Sequence, residues 1–408
     1  MQNVVFVVPY AMESTLRFLR GACALEGVRL GVVSQEKAER LPRDVRAKLS
    51  CHERIEDALD AEKLAEAVEA CGRAMGGKVT SLIGILEQLQ EPLALVRERL
   101  SIRGMDNREA ENFRDKSRMK NVLREHDVPC ARHALAATQA EALAFAQASG
   151  FPLVAKPPAG AGARNTVRVE TTEELESYMR TLPPTPQAPL LLEEFVQGRE
   201  HSFDSVSLGG RHVFHSISHY YPTPLEVMQA PWIQWCVLLP RDVSGPEYDD
   251  IRAAGTRALD ALGMVTGMTH MEWFRRADGS IAVSEVAARP PGAQFTSLIS
   301  YAHDVDFYEK WAEICVFERF EIPERKYACG AAYLRGQGAG SGVREIAGLD
   351  EARRELGDLV VDAKIPKPGS PRAQSYEGEG YVILRHPDTE VVERGLNKVL
   401  NTIQIRMG

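Results

Sequence analysis

The chain has 408 residues, 44% hydrophobic and 26% charged, with a formal net charge of −8. That is an ordinary globular composition, long enough for about two to four lobes, and its acidic balance argues against a general nucleic-acid or membrane-surface binder while leaving room for a local cationic pocket. Seven scattered cysteines without a CxxC pair indicate neither a zinc site nor a disulfide framework, no stretch approaches the roughly 18 apolar residues of a membrane span, and no secretion signal is visible, so a reduced cytoplasmic protein is the expectation.

Residues 3–9 are a continuous apolar run and read as a buried strand. A helix follows over about 13–26, then a strand at 28–33. Asp60 caps a second helix with Leu64, Val68, Cys71 and Met75 on one stripe, and a strand at 79–85 and a helix at 89–100 complete the alternation. Strands alternating with helices imply a parallel α/β sheet covered on both faces. The first strand runs into Tyr10-Ala11-Met12-Glu13 rather than a glycine-rich turn, so dinucleotide binding has no support here. Residues 1–105 read as scaffold with a loop contact.

Residues 106–128 are helical and polar. Asp106 with Glu109 forms a capping box, Asp115 caps a second helix, and Val128-Pro129 ends it. Thr138 with Glu141 opens an alanine-rich helix that stops at Gly150. Strands at 151–156 and 167–170 flank a Pro/Gly-rich loop, and Thr171 with Glu174 caps the next helix. Further strands are expected at 190–196 and 200–208. Residues 232–239 are apolar and expected to be buried. A helix through Ile251, Ala258 and Leu262 ends at Gly263, a left-handed cap. The tail alternates strands at 331–334 and 380–384 with a helix capped near Asp388.

Residues 270–286 form the most informative stretch. Asp278-Gly279 is the signature of a two-residue hairpin loop. Pairing centred there sets Phe274 opposite Val283 and Glu272 opposite Glu285. Directly opposed carboxylates cost a few tenths to about 1 kcal/mol, and a hard divalent cation bound by their oxygens would offset this. Phe274 and Val283 then supply an apolar floor beside the carboxylates, which suits a nucleotide. An exposed hairpin whose charge is met by Arg275 and Arg276 is the alternative.

Other candidates are weaker one at a time. Lys156 ends a strand and feeds Pro157-Pro158-Ala159-Gly160-Ala161-Gly162, which suits a phosphate chain but also an ordinary hairpin loop. Glu193-Glu194-Phe195-Val196 could meet a purine edge and Glu200 a ribose, or form a solvated rim. Arg289, four residues past Glu285, could clamp a carboxylate or phosphate, or pair internally with a glutamate. His270 could orient a substrate.

In order and spacing, four segments together resemble the ATP-grasp superfamily of carboxylate–amine ligases. They are Asp115-Lys116-x-x-Met119-Lys120 with Val128-Pro129; Phe151-Pro152-Leu153-Val154-Ala155-Lys156-Pro157 with its glycine loop; Leu192-Glu193-Glu194-Phe195-Val196 with Gly198-x-Glu200; and His270-x-Glu272 with Glu285-x-x-x-Arg289. The resemblance implies an α/β and α+β chain with the ATP-grasp fold: an N-terminal parallel α/β domain (1–105), a helical linker (106–129), a lid (130–208), a core with the metal hairpin (209–320) and a C-terminal lobe (321–408).

It also implies ATP and Mg²⁺, or Mn²⁺ in its place. Lys116 and Lys156 would hold phosphates, with Gly160 and Gly162 closing over them. Glu193 and the Val196 backbone would read the adenine, Glu200 would take the ribose, and Glu272 and Glu285 would hold the metal. Arg289 and His270 would meet a small carboxylate or amine substrate. Where many members have an asparagine ligand this chain has Ala287, a form that resembles the L-amino-acid ligase branch. The absence of a Glu-Met-Asn-x-Arg pattern argues against biotin carboxylase chemistry. A ligase of purine or cofactor metabolism, a nucleotide-binding module without turnover, and a homodimer are also compatible.

Overall fold

The structure, a computed structural model, describes residues 1–158, 165–230 and 232–408. Strand Gln2–Val7 pairs in parallel with Val28–Ser34 and Ser81–Ile83, and Leu49–Arg54 adds the outer strand. Helix Ala61–Ala74 buries Leu64, Val68 and Cys71 on one side of this sheet, while Glu13–Ala24 buries Phe18 and Leu19 on the other. Phe18 meets Tyr308 and Trp311 edge-on, at 4.7 and 5.0 Å between ring centroids. Each such pair contributes about 0.5–1.5 kcal/mol beyond its burial, so aromatic packing docks the N-terminal lobe on the helix Phe307–Phe317. The strand expected at 79–85 is shorter, and Leu49–Arg54 is a strand whose half-polar sequence does not announce it.

A small antiparallel sheet follows, in spatial order His133–Ala136, Leu190–Glu194, Leu153–Lys156, Val167–Val169. Thr138 and Thr171 cap its two helices by accepting from the backbone N–H of Glu141 and Glu174. Strand Arg199–Leu208, grouped with this lobe from sequence, leaves it to join a larger sheet.

That sheet is antiparallel throughout. Its eight strands run Ile281–Ala287, Gly267–Arg275, Arg199–Leu208, Arg211–Tyr221, Trp235–Leu239, Ala328–Leu334, Gly380–His386, Val360–Lys364. The core and the C-terminal segments thus share one sheet. Burial expected over 232–239 begins only at the strand: Trp235 is buried, but Trp232 is 69% exposed. Among the described residues, no helix is long and apolar enough to cross a membrane.

The hairpin differs from its two-residue expectation. Arg276 N–H donates to Ser280 O and Gly279 N–H to Arg276 O, so Ala277, Asp278 and Gly279 form a three-residue loop. Of these only Gly279 has positive φ, +86°. Phe274 therefore faces Ala282, not Val283, which lies opposite Trp273. A β-bulge then leaves Ser284 unpaired and shifts the register back by one residue. The two offsets cancel, and Glu272 stands directly opposite Glu285.

Candidate active site

The lobes meet around a cavity of about 610 Å³, within the usual range for small-molecule sites. The small sheet supplies Lys156 and Glu193, and the large sheet supplies Glu200, His270, Glu272 and Glu285. Helix Lys116–Glu125 contributes its first residue, Lys116. Glu87 comes from the N-terminal lobe and Tyr376 from near the C-terminus.

Asp115 fixes the start of that helix by accepting from the N–H groups of Ser117 and Arg118. Lys116 Nζ then donates to Glu285 Oε1 at 2.6 Å. Burial opposes charge on Glu285, but Lys116, Lys156 and Arg289 overcome it and hold its pKa down to about 2. One turn later Lys120 is fully buried. Its Nζ donates to the carbonyl of Ser284 at 2.8 Å, so the bulged residue's backbone is anchored by a lysine from the neighbouring helix.

Glu193 sits between two lysines. Its Oε1 lies 2.9 Å from Lys156 Nζ and 3.4 Å from Lys120 Nζ, aligned with neither as a hydrogen bond. Burial works against its charge, yet the lysines keep its pKa below the usual carboxylate range. For Lys156, burial likewise opposes the charge, and Glu193 with Glu285 raises the pKa above it. For Glu200 the balance goes the other way: burial, then the charges of Glu272 and Glu226, push its pKa well up against the smaller pull of His270 and Lys156.

His270 Nδ1 lies 2.6 Å from Asp204 Oδ1 and its Nε2 lies 3.8 Å from Glu272 Oε1. Burial would lower its pKa, but Asp204 and Glu272 raise it to about 9. Ser202 Oγ donates to the other Asp204 oxygen at 2.9 Å, so Asp204, fully buried and directly opposite His270 on the neighbouring strand, orients the imidazole. Arg289 donates from Nε to Glu87 at 2.6 Å and from Nη1 to Pro290 O at 2.9 Å. Among the described residues, Nη2 has no hydrogen-bond partner.

Lys116, Lys156, Glu193, Val196, Glu200, His270, Glu272, Phe274, Val283, Glu285 and Arg289 all line this cavity. Gly160 and Gly162 lie outside the described residues. Val283 keeps a place in the lining although it does not face Phe274. Ala287 also lines the cavity and offers no side-chain oxygen to a second cation. Glu87, Asp204, Arg168 and Tyr376 were not singled out from sequence, and Lys120 only as part of a motif. Arg168 lies over the Phe195 ring at 4.2 Å, and both line the cavity.

Residues 121–300 match the family model of the ATP-grasp domain. The chain has the ATP-grasp fold. It is 22% identical over 253 residues, 61% of its length, to an L-arginine-specific L-amino acid ligase of Bacillus subtilis, and spans 60% of that relative's length. The fold superposes on the L-amino acid ligase of Bacillus licheniformis with a TM-score of 0.80 at 19% identity, covering 100% of this chain and 99% of that one. It also superposes on a biotin carboxylase domain from Hydrogenobacter thermophilus, solved with MgADP and bicarbonate, with a TM-score of 0.70 at 17% identity and coverage of 99% and 90%. Lys116, Glu87 and Tyr376 fall outside the matched ATP-grasp segment, yet line the same cavity.

Proposed function

We propose that this chain is an ATP- and Mg²⁺-dependent carboxylate–amine ligase that joins an amino acid or related carboxylate to an amine. The carrying observation is the cross-strand pair Glu272–Glu285, set in one cavity with Lys116, Lys156 and Arg289. Two facing carboxylates of which one is held by a lysine fit a hard cation that takes one or two protein carboxylates and fills its shell with phosphate oxygens. Among the described residues, no cluster of three or more acidic, histidine or cysteine side chains is placed to enclose a metal. The nucleotide would therefore complete the shell. Bound there, Mg²⁺ supplies charge neutralisation on the phosphate oxygens.

The substrate carboxylate attacks the γ-phosphate of ATP, forming an acyl phosphate and ADP. The amine then attacks the acyl carbon and phosphate leaves. Lys116 and Lys156 align and neutralise the phosphates, Glu200 and the Val196 backbone hold the nucleoside, and the free edge of Arg289 holds the carboxylate and the oxyanion that develops on it. His270, kept protonated by Asp204, adds a fixed positive charge beside Glu272. The partners in this reading are the small-molecule carboxylate and amine.

The test is phosphate release from ATP and Mg²⁺ with amino acids supplied singly and in pairs, with products read by mass spectrometry. Release should depend on both partners, and the product mass should equal their sum less water. Release that ignores the amine, or a product of another class, contradicts the proposal.

A further inference from the structure

The phosphate-facing residues occupy only part of the cavity. The rest has an aromatic wall. Tyr376 meets Trp235 edge-on with centroids 4.8 Å apart, Trp235 meets Tyr220 at 5.9 Å, Tyr220 meets Phe295 at 5.6 Å, and Phe295 meets His270 at 5.4 Å. All five line the cavity, and among the described lining residues Tyr376 alone comes from beyond residue 300.

Several charged groups near this wall already have partners. Arg289 is held by Glu87 and His270 by Asp204. Glu226 caps its own helix through Thr223, and Arg335 donates to the carbonyls of Val227 and Ile233. Glu200 and Glu272 belong to the ribose and the metal in the proposed reading. What stays open is two phenol hydroxyls: among the described residues neither Tyr220 nor Tyr376 has a hydrogen-bond partner for its OH. Neither hydroxyl is among the buried polar atoms sealed from solvent, and both residues line the cavity, so its open space is where a partner would sit. The ammonium and carboxylate of a free amino acid can satisfy these hydroxyls while the rings border its side chain. Burial, then Glu377 and Glu272, push the Tyr376 phenol up, so it stays a neutral donor.

We propose that this compartment is the side-chain pocket for one amino-acid substrate, that it takes a large apolar or aromatic side chain, and that Tyr376 is a specificity-determining residue contacting it. The inference rests on the ligase reading for the word substrate, but the pocket is testable without turnover. A cationic side chain would need a carboxylate that lines the cavity and has no other duty; Glu226 caps its helix, and Glu377, next to Tyr376, does not line the cavity.

The experiment is calorimetric titration of the wild-type chain, saturated with Mg²⁺ and a non-hydrolysable ATP analogue, with alanine, leucine, phenylalanine, lysine and glutamate. Phenylalanine and leucine are expected to bind at least tenfold tighter than alanine, lysine and glutamate. Tyr376→Ala should cut that preference about tenfold while analogue affinity stays within twofold, which also shows the variant is folded. Tyr376→Phe, which keeps the ring, should retain most of it. In turnover the loss should appear in KM for the apolar partner. Equal binding of all five, a preference for lysine or glutamate, no binding, or an undiminished preference in Tyr376→Ala overturns the proposal. Selective binding in a protein that yields no ligation product with any pair supports the pocket and contradicts the ligase reading.

Discussion

Arg289 and Glu87 meet at 2.6 Å across the boundary between the N-terminal lobe and the core. Both are largely buried, and burial opposes the guanidinium's charge while Glu87 and Glu285 raise its pKa above it. A residue of the first lobe thus sets the angle at which Arg289 enters the cavity.

Breaking a buried pair by removing one partner costs about 3–5 kcal/mol, because the other charge is left uncompensated. Glu87→Ala should lower stability by about that amount. Glu87→Gln, which keeps an acceptor, should cost roughly half as much. Urea denaturation of both variants checks this, and equal stability of all three proteins would show that the pair does not fix the arginine.

Lys120 makes a different prediction. Its fully buried ammonium holds the carbonyl of the bulged Ser284 and faces Glu193 at 3.4 Å. Lys120→Met keeps the stem and removes the donor. It leaves a buried carbonyl and a buried carboxylate short of a partner, so a loss of about 3–5 kcal/mol is expected. Because the bulge sets Glu272 against Glu285, Mn²⁺ affinity in the presence of nucleotide should fall as well. Calorimetric unfolding and metal titration of the variant check the two parts.

On the other face of the large sheet, His201 stacks on Trp273 at 4.5 Å and meets His219 edge-on at 4.7 Å. Burial and then its neighbour His219 push the His201 pKa down to about 3, and burial pushes that of His219 down to about 4. In the unfolded chain both titrate near about 6.5. The folded state therefore resists protonation. The stability these neutral rings contribute is present above about pH 6.5 and is lost as pH falls from there through about 4 for His219 and about 3 for His201. Unfolding free energy should drop across that window, and His201→Phe with His219→Phe should flatten the slope. An unchanged slope in the double variant would contradict the assignment.

Much of this was visible in the residues. The caps at Asp60, Asp106, Asp115, Thr138, Thr171 and Asp388 are all made as their spacing implies, because capping is local chemistry. The Glu272–Glu285 pairing came out right through two compensating offsets, the longer loop and the bulge, neither of which the dipeptide Asp278-Gly279 reveals. Strand Arg211–Tyr221 was missed because its histidines and serines hide the alternation. Helix Phe295–His303 was missed because Gln294 makes no side-chain cap and the run is nearly all apolar or small. Glu87 and Tyr376 carry no local signal. They matter only because the fold brings positions 202 residues and 87 residues from Arg289 to one cavity, and such long-range contacts are not written in any single segment.

The acidic pair of the hairpin carries the proposed chemistry. The most direct measurement is amine-dependent phosphate release from ATP by Glu285→Gln beside the wild-type chain, at saturating Mg²⁺ and nucleotide. Glutamine keeps the shape and removes the charge, so the rate should fall by about a hundredfold or more while the protein stays folded. Turnover at the wild-type rate would contradict a cation held between Glu272 and Glu285.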